Sequence, residues 1–397
     1  MNQALLGANI TSLRKQRHMT QAQLAEALNI SHKTVSKWET GLGYPEISIL
    51  PRLSGILGVT VDYLLTGERN GIAVVGNLHT DTVRKVDKHY RTELLLNTTE
   101  STKDIGGSVP NITLNLAKID PSIPLSAVGC VGNDENGRLI LTHLQRYYIQ
   151  TRNIISANTS TGTNDIIIDP SSERLLVRTH GANALFDPRN INISSLNCRM
   201  IHFERLYFDS YWKPDDEYVC RLARTLHDLQ EAGITTSISA IHSFFTLPQK
   251  AFYSLLQYCD YIFMSESSLR KTMPHLPQDK KGIPLQNLMQ NALNLGVKKK
   301  VLVFTDAFNG FCLDKTGQFT AVQNPEIADE QIISINGIND DICAGCLYGI
   351  YSNYSDTKLL EFALATSAAG LMYKKTSDGM FSKKEIFHLM DQLRQQV

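Results

Sequence analysis

Between Ile10 and Leu65 apolar residues recur three and four positions apart in short groups, and from Ile72 onward they gather into runs of four or five. The first pattern predicts closely spaced amphipathic helices, the second buried strands alternating with helices. Ile10, Leu13 and Arg14 mark a first helix ending near Gln16. Thr20 and Gln23 have capping-box spacing, and Leu24, Ala25 and Leu28 form the apolar face of a second helix. Asn29-Ile30 predicts a tight turn, and Ser31 the cap of a third helix over 32–40 that turns Val35 and Trp38 inward. Gly41, Gly43 and Pro45 end it, and two short helices follow over 47–57 and 61–65. Further on, Ile72-Ala73-Val74-Val75 and Val128-Gly129-Cys130-Val131-Gly132 read as buried strands. Helices near 214–232, 247–258 and 284–296 alternate with strands near 234–239, 260–264 and 300–305, which predicts a parallel α/β sheet flanked by helices. The polar stretch 67–71, bounded by two glycines, reads as a short linker. The predicted organisation is a small all-α domain over 1–66, that linker, and an α/β domain over 72–397.

Composition changes this picture little. The chain has 397 residues, 42% hydrophobic and 20% charged, with a formal net charge of zero. That is ordinary for a globular protein, and it makes any nucleic-acid site a local one. No run of about 18 apolar residues predicts a membrane span, and the first residues lack a signal-peptide pattern. Seven cysteines without framework spacing fit reduced thiols in a cytoplasm. Cys343-Ala344-Gly345-Cys346 has redox or metal spacing, but no second pair accompanies it, so it reads as helix packing. Lys298-Lys299-Lys300 reads as a solvated helix end. Trp212, with Tyr207, Phe208 and Tyr211, reads as core or dimer packing, or as a surface on which a base stacks.

Two segments carry chemistry. A helix, a tight turn and a second helix with His32, Lys33, Thr34, Ser36 and Lys37 on its outer face is a layout that puts side chains into a DNA major groove. Residues 1–66 carry six basic and four acidic side chains, a net of +2. One such unit makes few phosphate contacts, which predicts a homodimer or tetramer on a two-fold site. At the other end, Gly337-Ile338-Asn339-Asp340 follows the β-like run Gln331-Ile332-Ile333-Ser334-Ile335 and opens an apolar segment. Amides at a helix start hold anionic oxygens, and an Asp in the first turn can take a proton from a hydroxyl. Gly337, Ile338 and Asn339 are therefore candidates for an anion hole and Asp340 for a catalytic base.

The first segment closely resembles the Cro/C1-type (XRE) helix-turn-helix family in Thr20-Gln21, Leu24-Ala25, Ser36-Lys37-Trp38-Glu39 and the Gly41 to Pro45 exit. That resemblance implies that Gln21 starts a helix touching DNA backbone, and it places His32, Lys33, Thr34, Ser36 and Lys37 on the recognition helix. From about 72 to 375 the order Gly76, Asp81, Gly106-Gly107, Asn111, Gly132-Asn133-Asp134, Gly137, Thr161-Gly162, Gly181-Ala182-Asn183 and Gly337 to Asp340 is similar to the ribokinase-like (PfkB) family of sugar and nucleoside kinases. It implies an α/β ribokinase-like domain with a small β lid, to which 82–105 and its run Thr92-Glu93-Leu94-Leu95-Leu96 contribute. It also implies that Asp81, Gly106, Gly107 and Asn111 bind hydroxyls of a sugar or nucleoside. His79 stands near Asp81, either against ligand or satisfied within the fold. ATP and Mg²⁺ are the implied cofactors.

The sequence departs from that family on the nucleotide side. The usual Gly-Ala-Gly-Asp is Gly337-Ile338-Asn339-Asp340. An Asn-x-x-Glu that organises Mg²⁺ and phosphate aligns with Ser265-Glu266-Ser267-Ser268, where Glu266 is a partial substitute. The Thr-x-Gly-x-x-Gly nucleotide loop aligns with Thr305-Asp306-Ala307-Phe308-Asn309-Gly310, and Asp306 sets a negative charge where polyphosphate would lie. The expectation is a cytoplasmic DNA-binding regulator whose second domain senses a sugar or nucleoside. The alternative is a working ATP-dependent kinase, Asp340 its base, that regulates its own operon.

Overall fold

The computed structural model describes residues 2–92, 95–204, 206, 209–241, 249–273, 283–305, 307, 309–323, 332–333, 337–372 and 380–394. Glu93, Leu94, Tyr207, Phe208, Asp306, Phe308, Gln331, Ser334 and Ile335 lie outside them. The chain forms two compact units, 1–71 with 192–199, and 72–191 with 200–397.

The first unit holds α1 (Gln3–Gln16), α2 (Gln21–Leu28), α3 (His32–Glu39), α4 (Leu50–Leu57) and α5 (Val61–Thr66). Helix α1 begins seven residues before Ile10, because the Asn2 side chain accepts the Ala4 and Leu5 amides. Thr20 and Gln23 form the capping box of α2, and Asn29 closes it in the left-handed region. Ser31 caps α3 through the Thr34 amide. Helix α4 starts at Leu50, not 47; Ile47 is exposed. Leu6, Ile10, Leu24, Leu28, Val35, Trp38, Leu53 and Leu64 form one core. Gly7 lets α1 approach α3 closely, since a Cβ there would lie 2.4 Å from the Trp38 carbonyl oxygen.

In the second unit the strands are β1 (Ile72–Val75), β2 (His79–Val86), β3 (Thr98–Gly106), β4 (Leu125–Gly132), β5 (Gln150–Ala157), β6 (Gly162–Ile168), β7 (Arg174–Thr179), β8 (Met200–Phe203), β9 (Thr235–Ala240), β10 (Tyr261–Ser265), β11 (Lys300–Phe304), β12 (Gly310–Asp314) and β13 (Phe319–Val322). The main sheet runs β13-β12-β11-β10-β9-β8-β1-β4-β5. It is parallel from β11 through β5, with β12 and β13 antiparallel at one edge. Every residue of β1 is buried, as a strand covered on both faces requires. A second sheet, β3-β2-β6-β7, is the small β lid. Its strands come from 79–106 and 162–179, and the described part of 92–96 adds none.

The helices are α6 (Ser108–Ile119), α7 (Glu135–Arg146), α8 (Asp209–Trp212), α9 (Arg221–Glu231), α10 (Gln249–Leu256), α11 (Glu266–Thr272), α12 (Leu285–Asn294), α13 (Ile338–Tyr351), α14 (Asp356–Leu371) and α15 (Lys383–Arg394). Helix α13 packs against α14 through Gly345, where a Cβ would lie 2.6 Å from the Ala363 Cα. Ile332 and Ile333, the described part of the β-like run before α13, are outside any strand.

One expectation is corrected here. Lys298-Lys299-Lys300 is not a solvated helix end. Helix α12 stops at Asn294 and Lys300 opens β11, where it pairs with Asp356. Lys299 pairs with Asp260 at 3.3 Å, and Lys298 donates to Gln230 at 2.5 Å. The aromatic cluster is core in its described part. Tyr211 is buried edge-on to Phe186 and Phe203, and Trp212 donates to the Leu206 carbonyl.

Candidate functional site

On α3, His32, Lys33 and Lys37 are exposed, and Thr34 and Ser36 are half-buried. Ser31 keeps the helix start in place while Val35 and Trp38 anchor the opposite face. Gln21 is tied into the unit, its amide donating to Glu39 Oε2 at 2.8 Å. Glu39 also receives Arg14 in a two-pronged pair at 2.6 and 2.8 Å, and Arg14 Nη1 donates to the Met19 carbonyl. Burial pushes the Glu39 carboxyl up, but the hydrogen bonds from Arg14 and Gln21 outweigh it and hold it below the usual value. The pair removes one charge of each sign from the surface, so the exposed net of +2 survives.

The second unit builds a polar path from the lid to the start of α13. Asp81 Oδ1 lies 3.1 Å from His79 Nε2 and accepts the Asn164 amide at 2.9 Å. Gly106 faces Asp81 because any Cβ there would lie 2.2 Å from Oδ2. His79 is held on its other nitrogen by Asn77 at 3.0 Å. Asn77 Oδ1 in turn accepts the Ser108 amide and hydroxyl, at 3.0 and 2.7 Å. Gly107, at φ 101°, carries the chain past the Asn77 carbonyl, where a Cβ would clash at 2.4 Å. The path then reaches Asn111 on α6, whose amide donates to Asp340 Oδ2 at 2.7 Å. Asn183 pins the turn between β1 and β2 by binding both the amide and the carbonyl of Leu78.

Gly337 adopts φ 85° at the N-cap of α13, and among the described residues no side chain caps that helix. Asp340 stands in its first turn and is 2% exposed. The structure thus brings His79, Asp81, Gly106, Gly107, Asn111 and Asp340 into one connected site, with Ile338 and Asn339 at its helix start.

Sequence reasoning missed Asn77, Asn164 and Asn115, and it missed Asp341. Asn115 lies one turn after Asn111 and donates to Asp341 Oδ1 at 2.7 Å, so α6 presents two amides to two consecutive carboxyls. The i, i+4 spacing of Asn111 and Asn115 was the available signal. Among the described residues Asp341 Oδ2 is buried without a hydrogen-bond partner, and it packs on Gly370, where a Cβ would lie 1.9 Å away. Burial, and then the neighbouring Asp340, push the Asp341 carboxyl well above the usual range, outweighing the Asn115 bond. A carboxyl whose folded-state pKa is raised costs stability as pH climbs from its unfolded value through its folded one. Asp341→Asn is therefore expected to melt higher than the parent, by a margin that widens as pH rises above the unfolded carboxyl value of about 3.9. Parallel melting profiles for the two proteins as pH rises would sink the assignment.

The nucleotide-side residues are engaged differently. Ser265 caps α11, and its hydroxyl lies within 3.0 Å of the Ser267 and Ser268 hydroxyls. Glu266 turns along its own helix to Arg270 at 2.6 and 2.8 Å. Thr305 and Asn309 close a tight turn on each other, and Gly310 meets Leu360 and Leu364 of α14. Asp134 accepts from Gly137 and Thr161. A separate cavity of about 450 Å³, lined by Val322, Leu364, Ala365, Met390 and Leu393, shares no residue with the Asp81–Asp340 site.

A nine-stranded, mostly parallel sheet with this site and a four-stranded lid defines a ribokinase-like kinase fold. Residues 69–382 match the pfkB family of carbohydrate kinases, and residues 10–64 match a helix-turn-helix family. The chain belongs to the pfkB carbohydrate kinase family and carries a helix-turn-helix domain ahead of it. Among solved structures, Arabidopsis thaliana ribokinase complexed with ribose and ATP superposes with a TM-score of 0.66 at 18% identity, covering 81% of this chain and 99% of that one. A nucleoside kinase from Burkholderia thailandensis in complex with inosine gives 0.62 at 13%, covering 81% and 97%. At these identities the likeness is one of fold. The helical unit is 46% identical over 59 residues to the HTH-type transcriptional activator BcrR of Enterococcus faecalis, covering 15% of this chain and 29% of that protein. It is 36% identical over 66 residues to the uncharacterized HTH-type transcriptional regulator YqaE of Bacillus subtilis, covering 17% and 57%. The chain thus spans less than two thirds of these relatives. Among the described residues, no helix is long and apolar enough to cross a membrane.

Proposed function

We propose that this chain is a transcriptional regulator that binds operator DNA as a homodimer. Its kinase-fold domain binds a sugar or nucleoside as effector and transfers phosphate weakly or not at all. The observation that carries this reading is the contrast between the two halves of the second unit. Asp81, Gly106 and Asn111, the residues that the family resemblance gives to hydroxyl binding, keep their contacts at one site, which supports this reading. Carboxylate and amide groups of this kind pair with the hydroxyls of a polyol. The phosphate-organising half departs from the family. Serines stand where the family has Asn and Glu, they bond one another, and Glu266 is committed to Arg270. These residues do not fit a Mg²⁺–nucleotide. Effector control then requires that the ligand prefer one DNA-affinity state over the other.

One observation favours a working kinase instead. Asp340 stands in the first turn of α13, oriented by Asn111. A thermal-shift screen of pentoses, hexoses and nucleosides, with and without ATP and Mg²⁺, separates the two. Binding raises stability by RT ln(1 + [L]/Kd). A sensor shows a shift with sugar or nucleoside alone, none added by nucleotide, and no ATP turnover. Turnover that disappears in Asp340→Asn would establish the kinase reading and end the pure-sensor one.

A further inference from the structure

Beneath the substrate network, at the carboxyl end of the central strands, three metal-ligating side chains converge. His202 on β8, Glu204 just beyond it and Cys343 on α13 place one ligand atom each within 4.8 Å of one another, and all three residues are buried. His202 Nε2 lies 3.2 Å from Glu204 Oε2, and Cys343 Sγ lies 3.8 Å from the same oxygen. A tetrahedral Zn²⁺ with Zn–N and Zn–O near 2.0–2.2 Å and Zn–S near 2.3 Å has ligand-to-ligand edges of roughly 3.3–3.7 Å. The two separations at Glu204 Oε2, 3.2 and 3.8 Å, are close to those edges, and the third pair of ligand atoms lies within 4.8 Å.

The hydrogen-bond pattern points the same way. His202 Nδ1 lies 2.9 Å from the Ser237 hydroxyl, which itself donates to the Ile201 carbonyl at 3.3 Å. With that hydroxyl donating onward, it accepts from Nδ1–H, and the Nε2 lone pair is left facing the carboxyl oxygen and the sulfur. A metal-bound histidine has this arrangement, its second nitrogen donating to a fixed partner that sets the tautomer. His202 Nε2, Glu204 Oε2 and Cys343 Sγ, whose thiol proton is directed at that oxygen or at Ser239 Oγ, converge on one point that a cation can occupy once the thiol proton leaves.

We propose that His202 Nε2, Glu204 and Cys343 Sγ bind one divalent transition-metal ion, and that the mixed nitrogen, oxygen and sulfur donor set selects Zn²⁺. On binding, the thiol proton, with any proton shared by His202 and Glu204, passes to solvent. The thiolate and carboxylate then neutralise the ion, so no net charge is buried. Ser239 Oγ, 3.7 Å from Cys343 Sγ, or a water takes the fourth position. The ion joins α13 to β8, and Cys343 lies one turn along α13 from Asp340, so it fixes the helix that carries Gly337 to Asp340. This site is independent of whether the domain senses or phosphorylates.

The test is elemental analysis of the full-length chain purified without chelator, together with the absorption spectrum of protein produced in cobalt-supplemented medium. The expected result is about one Zn²⁺ per chain, and a thiolate-to-cobalt charge-transfer band with the visible bands of a tetrahedral ion. Cys343→Ala should lose the band, and Cys346→Ala should keep it. Ser237→Ala should weaken metal retention against a competing chelator by about tenfold or more. Wild-type protein with no thiolate band overturns the proposal, whether or not Cys343→Ala folds. So does a band that survives Cys343→Ala. The metal-free alternative is a network in which Ser237 donates to Nδ1 and Nε2–H to Glu204, and it predicts that first outcome.

Discussion

Replacing Lys33 and Lys37 together by Ala is expected to weaken operator binding by about a hundredfold or more while leaving the melting temperature nearly unchanged. Both side chains are exposed on α3, and neither belongs to the core formed by Val35, Trp38 and their neighbours, so folding does not depend on them. Each phosphate contact contributes about 0.9 to the slope of log affinity against log salt. If both lysines touch phosphate, the double variant lowers that slope by about 1.8 for each recognition helix, and by about twice that on a two-fold site. Titrations of an operator fragment at several salt concentrations measure both quantities. An unaltered shift and slope would remove α3 from the DNA interface.

The second large effect is expected inside the same unit. Glu39→Ala leaves the Arg14 guanidinium in a nearly buried site with only the Met19 carbonyl, and it takes the acceptor from Gln21. Removing one partner of a buried pair costs about 3–5 kcal/mol, a large share of what a small domain has. Hydrogen exchange of the α1 to α3 amides should then accelerate by roughly a hundredfold or more, and the amides of the main sheet should change little. The same pair gives a pH signature. The Glu39 carboxyl is held low in the folded state, so its stabilisation is complete above its unfolded value of about 4.3 and fades as pH falls through the folded one. The parent unit should lose protection in acid more steeply than Glu39→Ala. Equal acid sensitivity would show that the pair does not stabilise the fold.

Much of this architecture was legible in the chain because its signals are local. The Thr20–Gln23 capping box, the Ser31 cap and the three-residue spacing of Val35 and Trp38 act within one helical turn, and the helices they predict are present. The buried run Ile72 to Val75 is a parallel-sheet strand because apolar continuity is what double coverage demands. Boundaries were less legible. Helix α1 runs back to Gln3 on an asparagine cap that the apolar period does not report. The lysine run 298–300 looked like a helix end, but Asp260 and Asp356, distant in sequence, draw two of its members into the edge of β11.

The site divides the same way. Asp81, Gly106, Gly107, Asn111 and Asp340 were identified from motif order, and tertiary structure joined them. Asn111 and Asp340 are 229 positions apart, and Asn115 and Asp341 are 226 apart. Cys343 and Cys346 have one spacing on one helix, yet Cys343 faces Glu204 and Ser239 while Cys346 is buried in the apolar core. The sequence by itself determined the elements, their order and the two families they resemble, since periodicity, caps and short motifs act over a few residues. Which carboxyl meets which amide, and which cysteine lies beside Glu204 and Ser239, were decided only when α6, α13 and the central strands packed together. Those partners are chosen by long-range burial, which no local pattern records.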